Sequence, residues 1–471
     1  MPPDSALRDA ALVGLTRALV SAACWWSGFR AISDDDYSRV VIAARFAAEP
    51  SLDPSGTSWL PLPFWLYGTP MALLGDSLTT ARGVAFVLGI ASAILVWASG
   101  RVLGLLPRQA LMAGVAAALL PYGAWLSVAT VPEAPCAALV LFGVACLGRA
   151  EATLRTWGGL ALGAACFCRY EAWALALTFV LCSALQAVRG RRRELWPAVL
   201  LAALPIGLWL LHGLVRHGDA LFFVARVSQY SAALGGATSG WLRALFEVPW
   251  ALVRFEPELF AVLAVALGLS LGKQRWPLSR DALAPALALL ALLVFLVVAQ
   301  ARGSAATHHP ERSLLPIFWF AALLTGGLMT KLAQQPERAW RLPVLALPLA
   351  LVASLLLRPA IRDSFVNRSE EELLGGVLRG LGATEVALDT DDFGFFALQA
   401  ALGHGKSWPL ADLDPRKAPA ERAVSTDQLA ERLRRDRARW LVTTRSRQAL
   451  VAPLGVTRAA TSRLTLVELR L

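Results

Sequence analysis

Over roughly its first 360 residues this chain repeats one pattern, apolar runs of about 15 to 25 residues divided by short arginine clusters. A helix needs about 20 apolar residues to cross a bilayer. With 56% hydrophobic and only 17% charged residues in a chain of 471, the apolar surface exceeds what a soluble fold of this size can bury. Lipid is therefore its expected solvent. The pattern stops near Arg358 and Pro359, which divides the chain into a membrane domain over 1–358 and a small water-soluble domain over 359–471.

The net charge of +11 would suggest nucleic acid in a soluble protein. Here the arginines sit between apolar runs, where they set orientation instead, so no nucleic-acid partner is expected. All six cysteines lie in the membrane part (Cys24, Cys136, Cys146, Cys166, Cys168 and Cys182), and Cys166 and Cys168 make no CxxC pair. Neither a disulfide framework nor a zinc site follows. Arg17 interrupts the first apolar run and no clear small-residue cleavage site follows it, so that run is expected to be a first span rather than a cleaved signal.

About eleven spans satisfy both length and charge: 10–29, 80–100, 109–127, 133–148, 156–168, 171–188, 195–215, 258–272, 281–300, 314–330 and 342–357. This assignment places every basic cluster on the cytoplasmic side: Arg101 with Arg108; Arg149 with Arg155; Arg189 with Arg191 to Arg193; Lys273, Arg275 and Arg280; Lys331, Arg338 and Arg341. The amino terminus is then cytoplasmic and the carboxyl domain extracytoplasmic, as for a multi-pass protein of the inner (plasma) membrane. Residues 59–75 hold three prolines and fit a helix lying in the outer interface, as does much of 218–257 with Trp241 and Trp250. No internal repeat is evident, which weakens a transporter built from duplicated halves.

Past Pro359 the pattern turns to alternating α and β. Strands are expected at 384–390, 439–444 and 464–471, and helices at 392–402 and 425–437. No glycine-rich phosphate loop appears there, so no nucleotide is assigned.

Four polar constellations fall on the outer side. The first is SDDDYSRV (33–40), where Asp34, Asp35 and Asp36 offer a base or a metal ligand, or simply begin a helix or a solvated loop. The second is Glu133 between two prolines, a helix cap or a carboxylate facing the first group across a cavity. The third is CRYEAW (168–173) between two short apolar segments. Arg169 there suits a phosphate and Glu171 suits pairing with it, while a structural ion pair closing a hairpin is the plainer alternative. The last is ARGSAATHHPERSLLP (301–316), with Arg302, His308, His309 and Arg312 at the mouth of a span: its arginines could neutralise a leaving phosphate, its histidines could instead bind metal, and a surface loop with incidental charges is the plainer alternative. Adjacent histidines rarely share one metal, and the rest of a ligand set is not local.

Taken in order, these elements resemble the GT-C superfamily of glycosyltransferases, which includes protein O-mannosyltransferases and lipid A aminoarabinose transferases. The resemblance spans about residues 10–358. It runs from the first-loop acids through DPSGTSWLPLP (53–63), the single-arginine helix LTTARGVAFVLG (78–89), Glu133 and FCRYEAW to Arg312–Pro316. The familiar acidic pair is a triplet here, and RYE stands where RPE or RPD is more usual.

The resemblance implies an α-helical polytopic fold of GT-C type with a small C-terminal α/β domain. It implies inverting transfer of a hexose or pentose from a polyprenyl-phosphate-linked sugar to a lipid, glycan or protein acceptor. One of Asp34, Asp35 and Asp36 would be the base and Glu133 a helper or metal ligand. Arg169 and Arg312 would contact phosphate, with Tyr170, Glu171, Arg302, His308 and His309 lining the substrate site. A divalent metal is allowed, because members divide on its use. A transporter or flippase of lipid-linked sugars would instead distribute charge along a path through the bilayer, and a non-catalytic membrane scaffold would tolerate loss of both Arg169 and Arg312.

Overall fold

The computed structural model describes residues 3–233, 240–272, 280–302, 309–333, 365–403, 407–411 and 425–470. The expected span at 342–357 and most of the last two basic clusters lie outside them. Two units follow one another: a helical domain to Ala333 and a five-stranded sheet with helices beyond Phe365.

The helical domain begins with α1 (Pro3–Trp26), α2 (Asp34–Ala48), α3 (Leu62–Leu74) and α4 (Leu78–Val102). Helix α2 is amphipathic and shorter than a span, and α3, with Pro70 inside it, occupies the segment expected at the interface. Next come α5 (Pro107–Leu119) and α6 (Pro121–Leu126). Here the structure departs from the single span expected at 109–127. Pro121 offers no N–H to continue the ladder and drives Leu120 to an extended ψ of 121°, so the helix stops and restarts.

The middle of the domain is built from α7 (Glu133–Leu147), α8 (Ala152–Cys166), α9 (Glu171–Arg189) and α10 (Trp196–His217). Helix α7 is buried along most of its length and packs on α4, α8, α9, α14 (Arg280–Ala301) and α16 (Leu315–Ala333), so its amino end is held at the centre of the domain. Helices α8 and α10 approach closely because α8 presents glycine at 159 and 163. A Cβ added at Gly163 would run into the Leu201 carbonyl oxygen, and one at Gly159 into that of Ala198. Small residues four apart are the usual means by which helices meet where lipid supplies no hydrophobic drive. Gly163→Leu is therefore expected to lower stability by about 1–3 kcal/mol, read as a lower melting temperature in detergent, while Gly207→Leu, whose Cβ would meet nothing within 4 Å, leaves it unchanged.

Four segments are long and apolar enough to cross a membrane: Leu78–Val102, Glu171–Arg189, Arg193–His217 and Ala282–Ala301. Glu133–Leu147, Pro257–Gly268 and Leu315–Thr330 are shorter apolar helices. Leu200, Leu204, Leu208 and Leu211 form an exposed stripe on α10, a pattern suited to lipid rather than water. The helices α11 (Phe222–Ala233) and α12 (Trp241–Phe255) occupy the segment read as interfacial. On α12, Trp241, Leu242, Phe246 and Trp250 are exposed beside charged Arg243 and Glu247.

The C-terminal unit has the sheet order β2-β1-β3-β5-β4. Strand β1 (Val386–Asp389) is buried throughout and pairs parallel with β2 (Ser407–Pro409) and β3 (Trp440–Thr444). Both faces covered is the rule for parallel strands. Strand β5 (Leu464–Leu469) runs antiparallel between β3 and β4 (Gly455–Ala460). The helices Phe395–Leu402 and Thr426–Arg435 stand where the sequence places helices. The helix Ser369–Gly380 and strands β2 and β4 were not anticipated, because each is short or mostly polar.

Candidate active site

The turns 127–132 and 167–170, the start of α2 and the short helix α15 (Pro310–Ser313) meet around the amino end of α7. Ser33 caps α2, and Asp36 closes the capping box by accepting the Ser33 amide at 3.1 Å. The same carboxylate accepts the Ile32 amide at 3.3 Å and, through Oδ1, the Thr130 amide at 3.1 Å, while the Thr130 hydroxyl donates to the Asp36 carbonyl at 2.9 Å. Asp36 is thus stitched to the turn that leads into Glu133. Burial pushes its carboxyl up to about 6, against the opposing pull of Arg312 and these amides.

Glu133, the first residue of α7, is buried and accepts from Arg169 Nη1 at 2.6 Å, with Arg312 Nη1 at 3.9 Å. Arg169 Nη2 bonds Glu171 at 2.7 Å, and the Ser313 hydroxyl also donates to Glu171, at 2.5 Å. One guanidinium therefore joins the acids that begin α7 and α9, and α15 closes on it. Arg39, one turn beyond Asp36, lies with its guanidinium 4.3 Å from the Trp59 ring centroid and within electrostatic reach of Asp35 and Glu133. A small hollow of about 20 Å³ lies against Glu133, Arg169, Glu171, Arg312 and Ser313 and borders apolar Val140, Leu175 and Leu292.

Among the described residues, Glu133 Oε2 and the Nε atoms of Arg39, Arg169 and Arg312 are buried without a hydrogen-bond partner. Buried polar atoms are normally satisfied. The three unsatisfied guanidinium donors suit a ligand bearing oxygens, the one unsatisfied carboxylate oxygen suits a hydroxyl, and the apolar border suits a hydrocarbon chain.

The sequence-derived candidates divide. Asp36, Glu133, Arg169, Glu171 and Arg312 gather in the cluster. Asp35 is exposed on the adjoining turn of α2 and acts electrostatically on Arg39 and Arg312. Asp34 points elsewhere, with both oxygens on Arg368 at 2.9 Å. Tyr170 donates to the Ser58 carbonyl at 2.8 Å and stacks on Phe223 at 4.3 Å, bracing the loop above α3. Arg302 is exposed at the end of α14, His309 is exposed and pairs with Glu311 at 3.0 Å, and His308 lies outside the described residues. Arg39, Thr130 and Ser313 were missed. Arg39 carried a signal, since it stands at i+3 from Asp36 in the quoted motif; the other two are ordinary hydroxyls whose place only packing assigns.

Asp53, His212 and His217 bring one ligand atom each to within 4.8 Å of one another, with Asp53 Oδ2 3.3 Å from His212 Nε2. One carboxylate and two imidazoles could hold a divalent cation. Asp53 Oδ1 is already held by Ser55 and the Gly56 amide, and this group lies beyond Tyr170 and Trp209, apart from the arginine cluster.

A helical domain with an acid–arginine hollow at one end and a small α/β unit is a fold of the GT-C type. The profile of the family described as dolichyl-phosphate-mannose-protein mannosyltransferase matches residues 54–212. A crystal structure of ArnT from Cupriavidus metallidurans bound to undecaprenyl phosphate is similar over 99% of this chain and 98% of that one, with a TM-score of 0.68 at 14% identity. The apo form of the same protein superposes with a TM-score of 0.58, covering 92% of each chain at 14% identity. The oligosaccharyltransferase of Archaeoglobus fulgidus, in complex with zinc and sulfate, gives 0.53 over 93% of this chain and 68% of that chain, at 13% identity. No curated protein sequence matches. At these identities the likeness is one of fold, and it bears out the GT-C resemblance at that level.

Proposed function

We propose that the protein is a multi-pass membrane glycosyltransferase that moves a sugar from a polyprenyl-phosphate donor to a hydroxyl acceptor at the outer face of the inner membrane. The observation that carries this reading is the hollow where Arg169 and Arg312 meet Glu133, charged at one end and apolar beyond, with Asp36 and Arg39 within electrostatic reach of that cluster. The charged end suits a phosphate and the apolar border a prenyl chain. The undecaprenyl phosphate in the ArnT structure supports that choice of ligand.

In the proposed step Asp36 takes the proton of the acceptor hydroxyl as its oxygen attacks the anomeric carbon. The bond from that carbon to the phosphate oxygen breaks, and polyprenyl phosphate leaves with the electron pair. Arg169 and Arg312 neutralise the charge gathering on the leaving phosphate, where fixed guanidiniums in a dry site are most effective. Glu133 holds both arginines at the hollow. Asp36 is the carboxylate assigned as base because it faces this cluster, and a group near 6 is ionised at neutral pH yet still accepts a proton. The outer collection of acids and the inner collection of arginines in the sequence support a reaction at the extracytoplasmic face, with the amino terminus inside and the α/β unit outside.

The test is transfer from a defined polyprenyl-phosphate sugar in proteoliposomes, with Asp34, Asp35 and Asp36 each replaced by asparagine. Full activity in the Asp36 variant refutes the mechanism. Movement of labelled lipid-sugar across the bilayer without glycosidic bond formation would replace transferase by flippase.

The pH dependence follows from Asp36. Its ionised form is required for transfer, so the rate should climb with pH and level off above about 6. Stability runs oppositely: a carboxyl raised above its unfolded value of about 3.9 contributes most at low pH, and that contribution is lost as pH rises through about 6. A rate that stays flat from pH 5 to pH 8 while the protein remains folded would assign the base elsewhere.

A further inference from the structure

The acidic triplet of α2 serves two faces. Residues 34 and 37 are neighbours on one side of the helix, 36 and 39 on nearly the opposite side, since two positions advance a helix by about 200°. Asp36 and Arg39 face the cluster of Glu133 and Arg312. Asp34 and Tyr37 face the C-terminal unit, and the contacts there are ionic and enclosed.

Arg368 is buried and holds Asp34 by a two-pronged fork, Nε to Oδ1 and Nη2 to Oδ2, both at 2.9 Å. Its remaining nitrogen reaches Asp392 at 2.7 Å and Glu371 at 3.2 Å. Four residues on, Glu372 accepts from Tyr37 Oη at 2.6 Å and from both Nη atoms of Arg82 on α4, at 2.6 and 2.9 Å. Between these anchors, Ala397 and Ala400 of the helix Phe395–Leu402 pack against Tyr37, Val40, Val41 and Ala44. The Val366 amide donates to the Ile32 carbonyl at 3.3 Å, and Phe365 packs on Phe29 and Trp125. Most of these attachments land on α2 or the turn before it, and Arg379 adds an ion pair with Asp76 at 3.6 Å, on the turn before α4.

We infer that the C-terminal α/β unit is a clamp on α2, with Arg368 and Glu372 as positioning residues that set the roll and register of the helix and so hold Asp36 and Arg39 against the cluster of Glu133 and Arg312. The fork fixes Asp34 in two directions, and Glu372 fixes Tyr37 against α4. A helix held at consecutive turns on its outer face cannot rotate its inner face. Loss of the fork lets the amino end of α2 swing, and a displacement of about 1 Å at a reacting group lowers a rate by about a hundredfold. Neither residue touches the hollow, so lipid-donor binding by Arg169 and Arg312 is untouched.

This inference concerns the site proposed above, but its test has an arm that needs no activity. Hydrogen exchange is measured on the full-length protein in detergent for wild type, Arg368→Gln, Asp34→Asn and the double variant. The amides of residues 37–44 in R368Q are expected to exchange about tenfold faster, with α7 unchanged. In the transfer assay R368Q should lose about tenfold or more in kcat with KM for the donor within about twofold. Because Asp34 acts through Arg368, D34N/R368Q should be no worse than R368Q alone. Arg368→Lys keeps the charge without the fork and should show intermediate exchange, which covers the case in which R368Q does not fold. Wild-type exchange on α2 in R368Q or R368K overturns the clamp, as does a double variant whose defects multiply. A chain that transfers no sugar but shows faster α2 exchange would keep the clamp and discard the transferase.

Discussion

Replacing Asp36 by asparagine is expected to lower transfer by about a hundredfold to ten-thousandfold, the range typical of losing a positioned general base. The substitution keeps the shape of the side chain and removes the proton acceptor. It also carries a structural cost. Three backbone amides, of Ile32, Ser33 and Thr130, donate to the two carboxylate oxygens. Asparagine offers one oxygen and turns an NH2 toward a donor, leaving at least one buried amide unpaired at about 1–3 kcal/mol. The chemical and structural effects separate in the assay: donor affinity, set by Arg169 and Arg312, should survive in D36N, while kcat collapses and the rise with pH disappears. Asp35→Asn is the control, since its exposed carboxylate leaves the amide stitching intact. A D36N protein that melts lower but turns over at the wild-type rate would make Asp36 a cap and nothing more.

The second large effect is expected at Arg169. Its guanidinium bonds Glu133 at 2.6 Å and Glu171 at 2.7 Å, both of them buried. Arg169→Gln leaves two enclosed carboxylates with one distant arginine between them, Arg312 at 3.9 Å from Glu133. Breaking one side of a buried pair costs about 3–5 kcal/mol because the other charge remains desolvated. A lower melting temperature and loss of donor binding should therefore appear together. Glu171→Gln with R169Q removes a surplus charge and should recover part of the stability without recovering donor binding. If that double variant regains both, Arg169 is a hairpin ion pair and the phosphate is held by others. Arg312→Lys discriminates further: it preserves the charge but not the fork, and is expected to weaken transfer more than folding.

How far the primary structure leads is visible at particular residues. The helices α4, α7, α9 and α10 begin and end within a few residues of the apolar runs that announce them, because a bilayer demands uninterrupted length and backbone satisfied within the segment. The break at Leu120–Pro121 was missed although proline carries the signal, since a long apolar run masks a local stop. In the C-terminal unit the two buried central strands were legible as short β-branched and apolar stretches, whereas edge strand β4, half exposed and polar, looked like loop.

The site shows the same division. That acids and arginines would gather at one end of the helical domain followed from their order and spacing along the chain, because ionisable groups next to apolar runs have few places to go. Which of three consecutive aspartates faces the cluster of Glu133 and Arg312 did not follow. Helical phase separates Asp34 from Asp36 by about 200°, but the partner on each side, Arg368 for one and Thr130 for the other, stands 334 and 94 residues away in sequence. Local chemistry along the chain thus decided the solvent, the class of fold and the residue types of the site. The tertiary structure alone decided their division of labour, since a carboxylate's role depends on which donors close around it, and those donors arrive from distant turns.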